Sequence, residues 1–436
     1  MTTLHPVFAG GPYQGYVYAY PHKTAYRPFE PRRLRDVWAG EPRSSLFLYV
    51  HVPFCTMRCG FCNLFTAPNP QRTLVQLYLD ALRSQAEAVR SELPDATFSR
   101  FVIGGGTPTF LDREDLDDVF QVARDVMGAD LQTVPIGIET SPDTLRGEHI
   151  ACFREWGVDR VSIGVQSFIE EEAANSGRPQ SRQDIDSALV RLALVPAFNI
   201  DLIYGLPGQT VGTWLYSLEE ALKFSPHELY LYPLYVRPLT GLGRSRKEWD
   251  DVRLACYREG RDVLLASGYE QVSMRMFRRR RLPQVNGPEY CCQTDGMIGL
   301  GCGARSYTRA LHYSLDFAVA PKGVKGILAD YVARGRSEFA VAEHGFELND
   351  DEQRRRFVLQ SILNVEGLSE AQYESRFGSS PFDDLPELGE LAELGLIASD
   401  DGRWGPTALG LEWSDAIGPW LFSRSVRQLM AKYEAK

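Results

Sequence analysis

Short apolar runs alternate with amphipathic stretches between residues 46 and 236. The first run is "SLFLYVHVP", and the next stretch, "TLVQLYLDALRSQAEAVRSEL", has apolar residues at intervals of three and four, which is typical of an amphipathic helix. This alternation recurs to give about six strand–helix units, and parallel strands joined by helices require right-handed crossovers. The runs carry few polar positions, as expected for a parallel sheet that is covered on both faces.

Six units are fewer than the eight of a complete parallel barrel, so the pattern predicts an open or partial barrel. Polar residues, glycines and a cysteine follow the predicted strands directly. These residues are Cys55, Gly104, Glu139, Gln166 and Asp201. Because the chemistry of parallel barrels gathers at the carboxyl ends of the strands, we expect the functional site at this edge.

The composition changes on both sides of the alternating region. Residues 1–45 are rich in Pro, Tyr and Arg and are predicted to form an irregular arm. Residues 46–275 form the predicted partial barrel, and residues 276–330 extend it toward the substrate. Residues 331–436 combine helical stretches with a short hairpin, which indicates a small winged-helix-like domain. The predicted fold class is therefore α/β, a partial (β/α)6 barrel with two appendages.

The charge and the apolar content exclude some classes of function. The chain has 436 residues and a net charge of -10, whereas a general nucleic-acid surface needs a basic field. No apolar run is long enough to span a membrane, and no leader-like segment opens the sequence. We therefore expect a cytoplasmic protein without nucleic-acid or membrane partners, in which the 8 cysteines stay reduced.

Three of these cysteines, Cys55, Cys59 and Cys62, lie in a C-x3-C-x2-C spacing. Thiolates are soft ligands that select zinc or iron–sulfur clusters. A structural zinc site needs four ligands, whereas three thiolates on a four-iron cluster leave one iron open to a small molecule. A partial zinc site and three buried thiols are the alternatives.

The segments "YVHVPFCTMRCGFC" and "GGGTP" resemble the radical SAM superfamily and, within it, the HemN-like family. The resemblance runs from about Tyr49 to Tyr307 and continues weakly through the C-terminal domain. It implies that the three cysteines hold a [4Fe–4S] cluster whose open iron binds S-adenosylmethionine. An external one-electron reductant such as flavodoxin or ferredoxin would then drive formation of a 5′-deoxyadenosyl radical that acts on a small-molecule substrate.

The resemblance also implies contacts to S-adenosylmethionine. The glycine run would meet its aminoacyl end, although a tight turn would use glycines in the same way. Four further polar residues match positions around the cofactor, although each could alone be a cap or a surface residue. Tyr49 and Phe61 match aromatic positions of the family. The predicted contacts are Tyr49, Phe61, Gly105, Gly106, Thr107, Glu139, Gln166, Arg178 and Asp201.

The sequence departs from the family's namesake, oxygen-independent coproporphyrinogen III oxidase. Leu64 stands where the namesake has a further cysteine, and Asn286 and Cys291 replace the histidine and tryptophan of the heme-chaperone branch. These departures favour a tailoring reaction on a small, anionic substrate: methyl transfer, sulfur insertion or oxidation. The oxidase and the heme-carrying chaperone are the alternatives.

Two further groups are candidates. Cys291, Cys292 and Cys302 could hold an auxiliary iron–sulfur cluster or supply a thiol, or they could be buried as small apolar residues. Residues 276–330 also include the region that would line a second S-adenosylmethionine, which HemN-like proteins can bind. Arg275 and Arg278 belong to a local basic run and could bind a carboxylate or phosphate of the substrate, or form a solvated loop.

Overall fold

The computed structural model describes residues 5–245, 250–280 and 296–434. These residues form two compact units, each assembled from segments that are separated in sequence. The barrel unit contains the described residues of Pro28–Cys256 and Leu282–Gly345. The C-terminal unit contains the described residues of three segments. These segments are Met1–Arg27, Tyr257–Arg281 and Phe346–Tyr433.

The strands of the described chain are numbered in sequence order. They are β1 Arg27–Arg33, β2 Leu46–Val52, β3 Phe54–Cys55, β4 Ala67–Pro68, β5 Phe98–Gly105, β6 Ile136–Thr140, β7 Arg160–Gln166, β8 Ala197–Tyr204, β9 Glu228–Pro233, β10 Tyr269–Gln271, β11 Met276–Arg279, β12 Met297–Leu300, β13 Arg305–Tyr307, β14 Leu311–Ser314, β15 Val341–Glu347, β16 Leu368–Ser369, β17 Ile397–Asp400 and β18 Arg403–Pro406.

The α-helices follow the same numbering. They are α1 His5–Ala9, α2 Leu34–Val37, α3 Arg72–Glu92, α4 Arg113–Gln121, α5 Gly147–Trp156, α6 Glu170–Asn175, α7 Arg182–Leu192, α8 Val211–Leu222, α9 Arg253–Ala266, α10 Pro321–Ala333, α11 Asp350–Ile362, α12 Glu370–Phe377, α13 Pro381–Asp384, α14 Glu387–Glu393, α15 Ala408–Glu412, α16 Ser414–Trp420 and α17 Arg424–Ala431. No helix among the described residues has both the length and the apolar character needed to cross a membrane.

Six strands of the barrel unit form a continuous parallel sheet in the order β2, β5, β6, β7, β8 and β9. Helices connect successive strands, which confirms the predicted partial (β/α)6 barrel. On the other side of β2, the sheet continues with β12, which is also parallel, and then with β13 and β14, which are antiparallel. The order of the strands therefore brings β12 and β13 beside the strand that leads to the cysteines.

The two faces of this parallel sheet differ in character. Outward-facing side chains such as Leu48, Val50 and Ile163 are 0% exposed. Inward-facing side chains, including Tyr49 and Asp201, are only half-buried. The barrel therefore encloses an accessible chamber, which we call the lumen, in place of the packed interior of a complete barrel.

The helices of the barrel begin at residues with short polar side chains. Asp112 accepts a hydrogen bond from the backbone N–H of Asp115 at 3.0 Å and caps α4. Ser181 caps α7 in the same way, and Thr210 caps α8 through the N–H of Thr213 at 3.2 Å. These caps satisfy backbone donors that have no partner within the helix, and they fix where each crossover helix leaves its loop.

The prediction of an irregular arm over residues 1–45 is wrong for β1, which is a seven-residue strand despite Pro28 and Pro31. Proline lacks an N–H donor and so disfavours the interior of a sheet. β1 is the edge strand of its sheet and lies next to β15, and an edge strand tolerates proline.

The C-terminal unit has its own apolar core, to which the N-terminal segment contributes Tyr20 and Ala25. Tyr20 donates a hydrogen bond to Glu352, and Ser423 donates to the other oxygen of this carboxylate at 2.7 Å. Strands β16, β18 and β17 form a small antiparallel sheet with helices around it, which agrees with the predicted winged-helix-like domain. The division of the chain into four consecutive domains stays a prediction.

Candidate active site

The cysteine loop leaves the barrel at the carboxyl end of β2. Its two ends are tied together because β3 pairs with β4 in parallel. The N–H of Ala67 donates to Pro53 O, and the N–H of Asn69 donates to Cys55 O, both at 2.7 Å. We call this pair of strands the clip. The clip fixes where the loop departs and returns through backbone contacts alone.

The middle of the loop is held by the segments that follow α6 and β9. The N–H of Gly60 donates to Ser176 O at 2.9 Å, and Gly60 O accepts from the N–H of Leu242 at 2.7 Å. A methyl group at position 60 would lie 2.5 Å from Ser176 O, so this approach requires glycine. Cys59 and Cys62, on either side of Gly60, are joined by a turn in which Cys62 N–H donates to Cys59 O at 3.1 Å.

The three thiols of the loop are partly buried and close enough to influence one another. Burial, with smaller effects of the neighbouring thiols of Cys62 and Cys59, raises the pKa of Cys55 to about 12. Burial likewise raises the pKa of Cys62. The thiols of Cys55 and Cys62 are therefore protonated at neutral pH, and a metal bound to them would have to displace their protons.

The donor set fits an iron–sulfur cluster better than a zinc ion. A structural zinc site takes four ligands, whereas three thiolates can hold a four-iron cluster and leave one iron open. The residues that would hold the cluster are Cys55, Cys59 and Cys62.

The glycine run at the end of β5 packs directly against the start of the cysteine loop. The N–H of Gly106 donates to Val52 O at 2.7 Å, and the hydroxyl of Thr107 donates to Cys55 Sγ at 3.5 Å. A methyl group at position 106 would lie 2.6 Å from Phe54 O and 3.0 Å from Cys55 Sγ. Only glycine fits here without displacing the first cysteine.

Two carboxylates face the lumen beside this run. The Oε2 atom of Glu139 accepts the N–H of Gly105 at 2.9 Å. Glu139 is exposed to solvent in the lumen, and desolvation by the surrounding protein still raises the pKa of its carboxyl. Burial raises the pKa of Asp201 to about 7, against the opposing effect of Arg160.

Asp201 is held by two side chains of the same face. Ser162 donates to one carboxylate oxygen at 3.2 Å, and Asn199 donates to the other at 2.7 Å. Because Asp201 titrates near neutrality, it can both donate and accept hydrogen bonds at physiological pH. Such a group suits hydroxyl-bearing ligands such as a ribose.

Gln166 and Arg178 lie at the end of β7 and in the loop beyond α6. Gln166 has a φ of 70°, a left-handed conformation that is unusual for a residue with a side chain. The Arg178 guanidinium donates from Nη2 to Gly164 O at 2.6 Å and from Nη1 to Cys59 Sγ at 3.6 Å. The structure thus brings Arg178 to the cysteine loop, where its charge favours a thiolate.

The two aromatic candidates occupy different surroundings. The hydroxyl of Tyr49 lies 3.2 Å from His51 Nδ1, and burial followed by the charge of Glu139 raises its pKa. Phe61 packs against an apolar cluster that includes Leu206 and Leu242. Tyr49 therefore faces the lumen, whereas Phe61 packs the cysteine loop against β8, β9 and the segments that follow them.

The two arginines that the sequence analysis named as substrate contacts belong to the C-terminal unit. Arg275 is buried in the C-terminal unit, where it forms an ion pair with Asp415 and lies 3.8 Å from the ring of Tyr16. Arg278 pairs with Glu270 across the β10–β11 hairpin at 3.0 Å. These contacts are structural, and the predicted roles of both arginines in substrate binding stay predictions.

Cys302 is 0% exposed in the barrel unit, where burial raises its pKa. Its preceding residue, Gly301, donates its N–H to Gln85 Oε1 at 2.7 Å, and Tyr331 donates to the same oxygen at 2.8 Å. Cys291 and Cys292 lie outside the described residues. The auxiliary-cluster hypothesis therefore stays a prediction.

Several lumen residues escaped the sequence analysis. The ring of His51, with Nε2 3.0 Å from Phe65 O, is in contact with Gly105 and Gly303, because a methyl group at either glycine would lie 2.8 Å from it. Arg160 reaches across the lumen face to Glu228 at 2.6 Å. The alternation of polar residues in "RVSIGVQ" was the signal that could have revealed Arg160, since inward positions recur every second residue.

Comparisons with known proteins agree with this geometry. Residues 49–221 match the model of the radical SAM superfamily, and residues 348–413 match the HemN C-terminal domain. The heme chaperone HemW of Escherichia coli is 30% identical over 277 residues, which cover 59% of this chain and 69% of that protein. HemW of Bacillus subtilis is 26% identical over 371 residues, covering 81% and 93%.

The oxygen-independent coproporphyrinogen III oxidase of Escherichia coli is 27% identical over 429 residues, which cover 91% of both chains. The solved structure of coproporphyrinogen III oxidase (HemN) from Escherichia coli matches 96% of this chain and 98% of that chain with a TM-score of 0.80 at 24% identity. This structural likeness shows a common fold. The chain belongs to the HemN-like family of the radical SAM superfamily, whose cofactors are a [4Fe–4S] cluster and S-adenosylmethionine.

Proposed function

We propose that this protein reductively cleaves S-adenosylmethionine at a [4Fe–4S] cluster held by Cys55, Cys59 and Cys62. The resulting 5′-deoxyadenosyl radical abstracts a hydrogen atom from a small, anionic substrate. The observation that carries the proposal is the contact between the cysteine loop and the glycine run, where Thr107 donates to Cys55 Sγ and Gly106 leaves no room for a side chain.

The residues around the loop support distinct tasks. Arg178, at Cys59, supplies a positive charge for the carboxylate of S-adenosylmethionine or for a thiolate. Glu139 and Asp201 supply hydrogen-bond acceptors in the lumen for the hydroxyl and amino groups of the same cofactor. The enclosing strands limit the access of water to the reacting atoms, which protects a reactive radical.

We further propose that the substrate radical proceeds to a tailoring reaction: methyl transfer, sulfur insertion or oxidation. The support is in the sequence, since Leu64 replaces a cysteine of the namesake oxidase and Asn286 and Cys291 replace the chaperone's histidine and tryptophan. A reductant such as flavodoxin or ferredoxin would supply the electron.

The test is anaerobic reconstitution with iron and sulfide, followed by dithionite and S-adenosylmethionine. Wild type is compared with the Cys55→Ala, Cys59→Ala, Cys62→Ala triple variant, and iron and 5′-deoxyadenosine are quantified. We expect about four irons per chain and deoxyadenosine from wild type, and neither from the variant. The single variant Cys256→Ala, at a helical cysteine outside the loop, is the control for loss of a thiol. Equal deoxyadenosine from the triple variant would refute the proposal.

A second candidate function is the handling of a tetrapyrrole. The oxidase and chaperone relatives favour it, because the alignments to them cover most of this chain. Anaerobic incubation with coproporphyrinogen III should yield a decarboxylated product if the chain is an oxidase. Tight binding of heme, with no deoxyadenosine from a fully loaded cluster, would instead identify a heme carrier.

A further inference from the structure

Arg58 lies inside the cysteine loop, directly before Cys59, and the sequence analysis did not consider it. Its side chain is half-buried and crosses to the other end of the loop, where Nη2 donates to the backbone oxygen of Cys62 at 3.5 Å. This contact places the guanidinium beside the residue that carries the third thiol. Arg58 is therefore a positively charged neighbour of the residues that would hold the cluster.

The second terminal nitrogen of this guanidinium lacks an acceptor. Nη1 of Arg58 is shielded from solvent, and it has no hydrogen-bond partner among the described residues. A charged donor that is buried without a partner costs more free energy than a neutral one, so such an atom requires an explanation. An anionic group bound beside Cys62 would supply the missing acceptor.

The other arginine at the cysteine loop differs in this respect. Arg178 Nη2 donates to Gly164 O at 2.6 Å, and its Nε donates to Gln180 Oε1 at 3.4 Å. The remaining nitrogen, Nη1, donates to Cys59 Sγ at 3.6 Å. All three nitrogens of Arg178 therefore have acceptors within the protein, whereas Arg58 has a donor available for a bound group.

We propose that Arg58 donates from Nη1 to a sulfur atom of the [4Fe–4S] cluster beside Cys62 and thereby raises the reduction potential of the cluster. This inference rests on the proposed function, because it assigns a role at the same cluster. Hydrogen bonds to the sulfur atoms and net charge are among the factors that set such potentials. Reduction adds a negative charge to a cluster that three thiolates already hold. A buried positive charge therefore stabilises the reduced form more than the oxidised form.

The charge of the rest of the chain makes this local contribution important. The chain has a net charge of -10, so its overall field opposes the arrival of an electron. Salt screens the field of exposed charges over about 10 Å, whereas a buried charge beside the cluster is screened much less. Arg58 is therefore better placed than distant side chains to offset this field.

The test is an anaerobic redox titration of the reconstituted protein without S-adenosylmethionine. Dithionite donates the electron, and EPR measures the reduced cluster. At a fixed solution potential, we expect the ratio of reduced to oxidised cluster in Arg58→Gln to be about tenfold lower than in wild type, which corresponds to about 59 mV for a one-electron couple. Arg90→Gln is the matched control and should have the wild-type ratio. Arg90 is also half-buried and donates to a backbone oxygen, that of Ala96, at 2.8 Å.

A second measurement detects the hydrogen bond itself. Pulsed EPR of the reduced protein, labelled with 15N-arginine, reports the couplings of arginine nitrogens that lie close to the cluster. We expect one coupling of wild type to be missing in Arg58→Lys, which keeps the positive charge but has no labelled guanidinium. If Arg58→Gln does not hold about four irons per chain, Arg58→Lys decides the question by this coupling.

Three outcomes would overturn the proposal. They are an unchanged potential in Arg58→Gln with a full cluster, an equal shift in Arg90→Gln, and identical arginine couplings in wild type and Arg58→Lys. An equal shift in Arg90→Gln would show a general effect of the protein's charge. Identical couplings would show that Nη1 of Arg58 meets water or another group and no sulfur of the cluster.

These measurements separate the inference from the proposed function, because they need neither S-adenosylmethionine nor turnover. A potential that depends on Arg58, in a protein that forms no deoxyadenosine, would leave the role of Arg58 standing and refute the radical chemistry. Deoxyadenosine formation with a potential insensitive to Arg58→Gln would support the radical chemistry and overturn the role of Arg58. A wild-type protein that takes up no iron would overturn both.

Discussion

The two faces of the parallel sheet carry alternate residues of the same strands and have opposite characters. In β7, Val161 and Ile163 face outward and are fully buried, whereas Arg160 and Ser162 face inward and remain accessible. The outward face resembles the core of any α/β protein. The inward face carries charges, hydroxyls and glycines that a packed core would exclude. Residues that stabilise the fold therefore alternate along each strand with residues that can contact a ligand.

The largest expected effect comes from truncating an outward side chain. Phe101 is 0% exposed and packs edge-to-face on Phe120 at 6.0 Å. We expect Phe101→Ala to lower the free energy of unfolding of the metal-free protein by about 3–5 kcal/mol, because it leaves a cavity. Its inward neighbour Val102 is the matched control, and Val102→Ala should lower it by less than about 1 kcal/mol. Urea unfolding measures both, and equal losses would show that the faces do not differ.

The next expected effect is a lower rate of deoxyadenosine formation, with little change in the free energy of unfolding. Gly106→Ala places a methyl group 2.6 Å from Phe54 O and 3.0 Å from Cys55 Sγ, so the cysteine loop must shift. We expect at least about a tenfold lower rate of deoxyadenosine formation, since small displacements at a reacting centre are costly. Gly147→Ala is the control, because a methyl group there meets nothing within 4 Å. Wild-type rates and iron content in Gly106→Ala would contradict the close packing described above.

A smaller effect depends on pH. The pKa of Asp201 is raised to about 7 in the folded protein, chiefly by burial. The folded state therefore binds the proton more tightly than the unfolded state, and the stability contributed by Asp201 is lost as the pH rises from about 4 through about 7. At pH 8, the free energy of unfolding of Asp201→Asn should exceed that of wild type by ~1–2 kcal/mol, a value that allows for screening by solvent in the lumen. At pH 3.5 the two proteins should have the same free energy of unfolding.

Unfolding curves of the metal-free protein at several pH values measure this difference. Glu139→Gln is the companion variant, since burial also raises the pKa of Glu139, and its stability difference should have the same sign. A gain that is the same at both pH values would mean that the lumen does not desolvate its carboxylates.

The smallest effect belongs to a surface pair of the C-terminal unit. Arg278 and Glu270 are both about two-fifths exposed and lie 3.0 Å apart. Exposed ion pairs contribute little, so we expect Arg278→Ala to lower the free energy of unfolding by less than about 1 kcal/mol, and less still at high salt. If Arg278 also binds the substrate, as the sequence predicts, the variant will weaken substrate binding far more than it changes stability. The two measurements together separate these roles.

The sequence predicted the features that are local in the chain. The cysteine spacing, the glycine run after β5 and the polar residues after strands are visible as short patterns, and the parallel order of the strands follows from their alternation with helices. Contacts between distant segments were not predictable. Arg178 reaches Cys59, and Arg275 pairs with Asp415, only because the chain has folded.

The clip has a consequence for the repair of a damaged cluster. Small zinc domains are often unfolded without metal, so that losing the ion means losing the structure. Here the backbone of β3 and β4 holds both ends of the cysteine loop independently of the thiols. A cluster destroyed by oxygen would leave behind an aligned and closed loop. Reassembly of the cluster would then require iron and sulfide but no refolding of the cysteine loop.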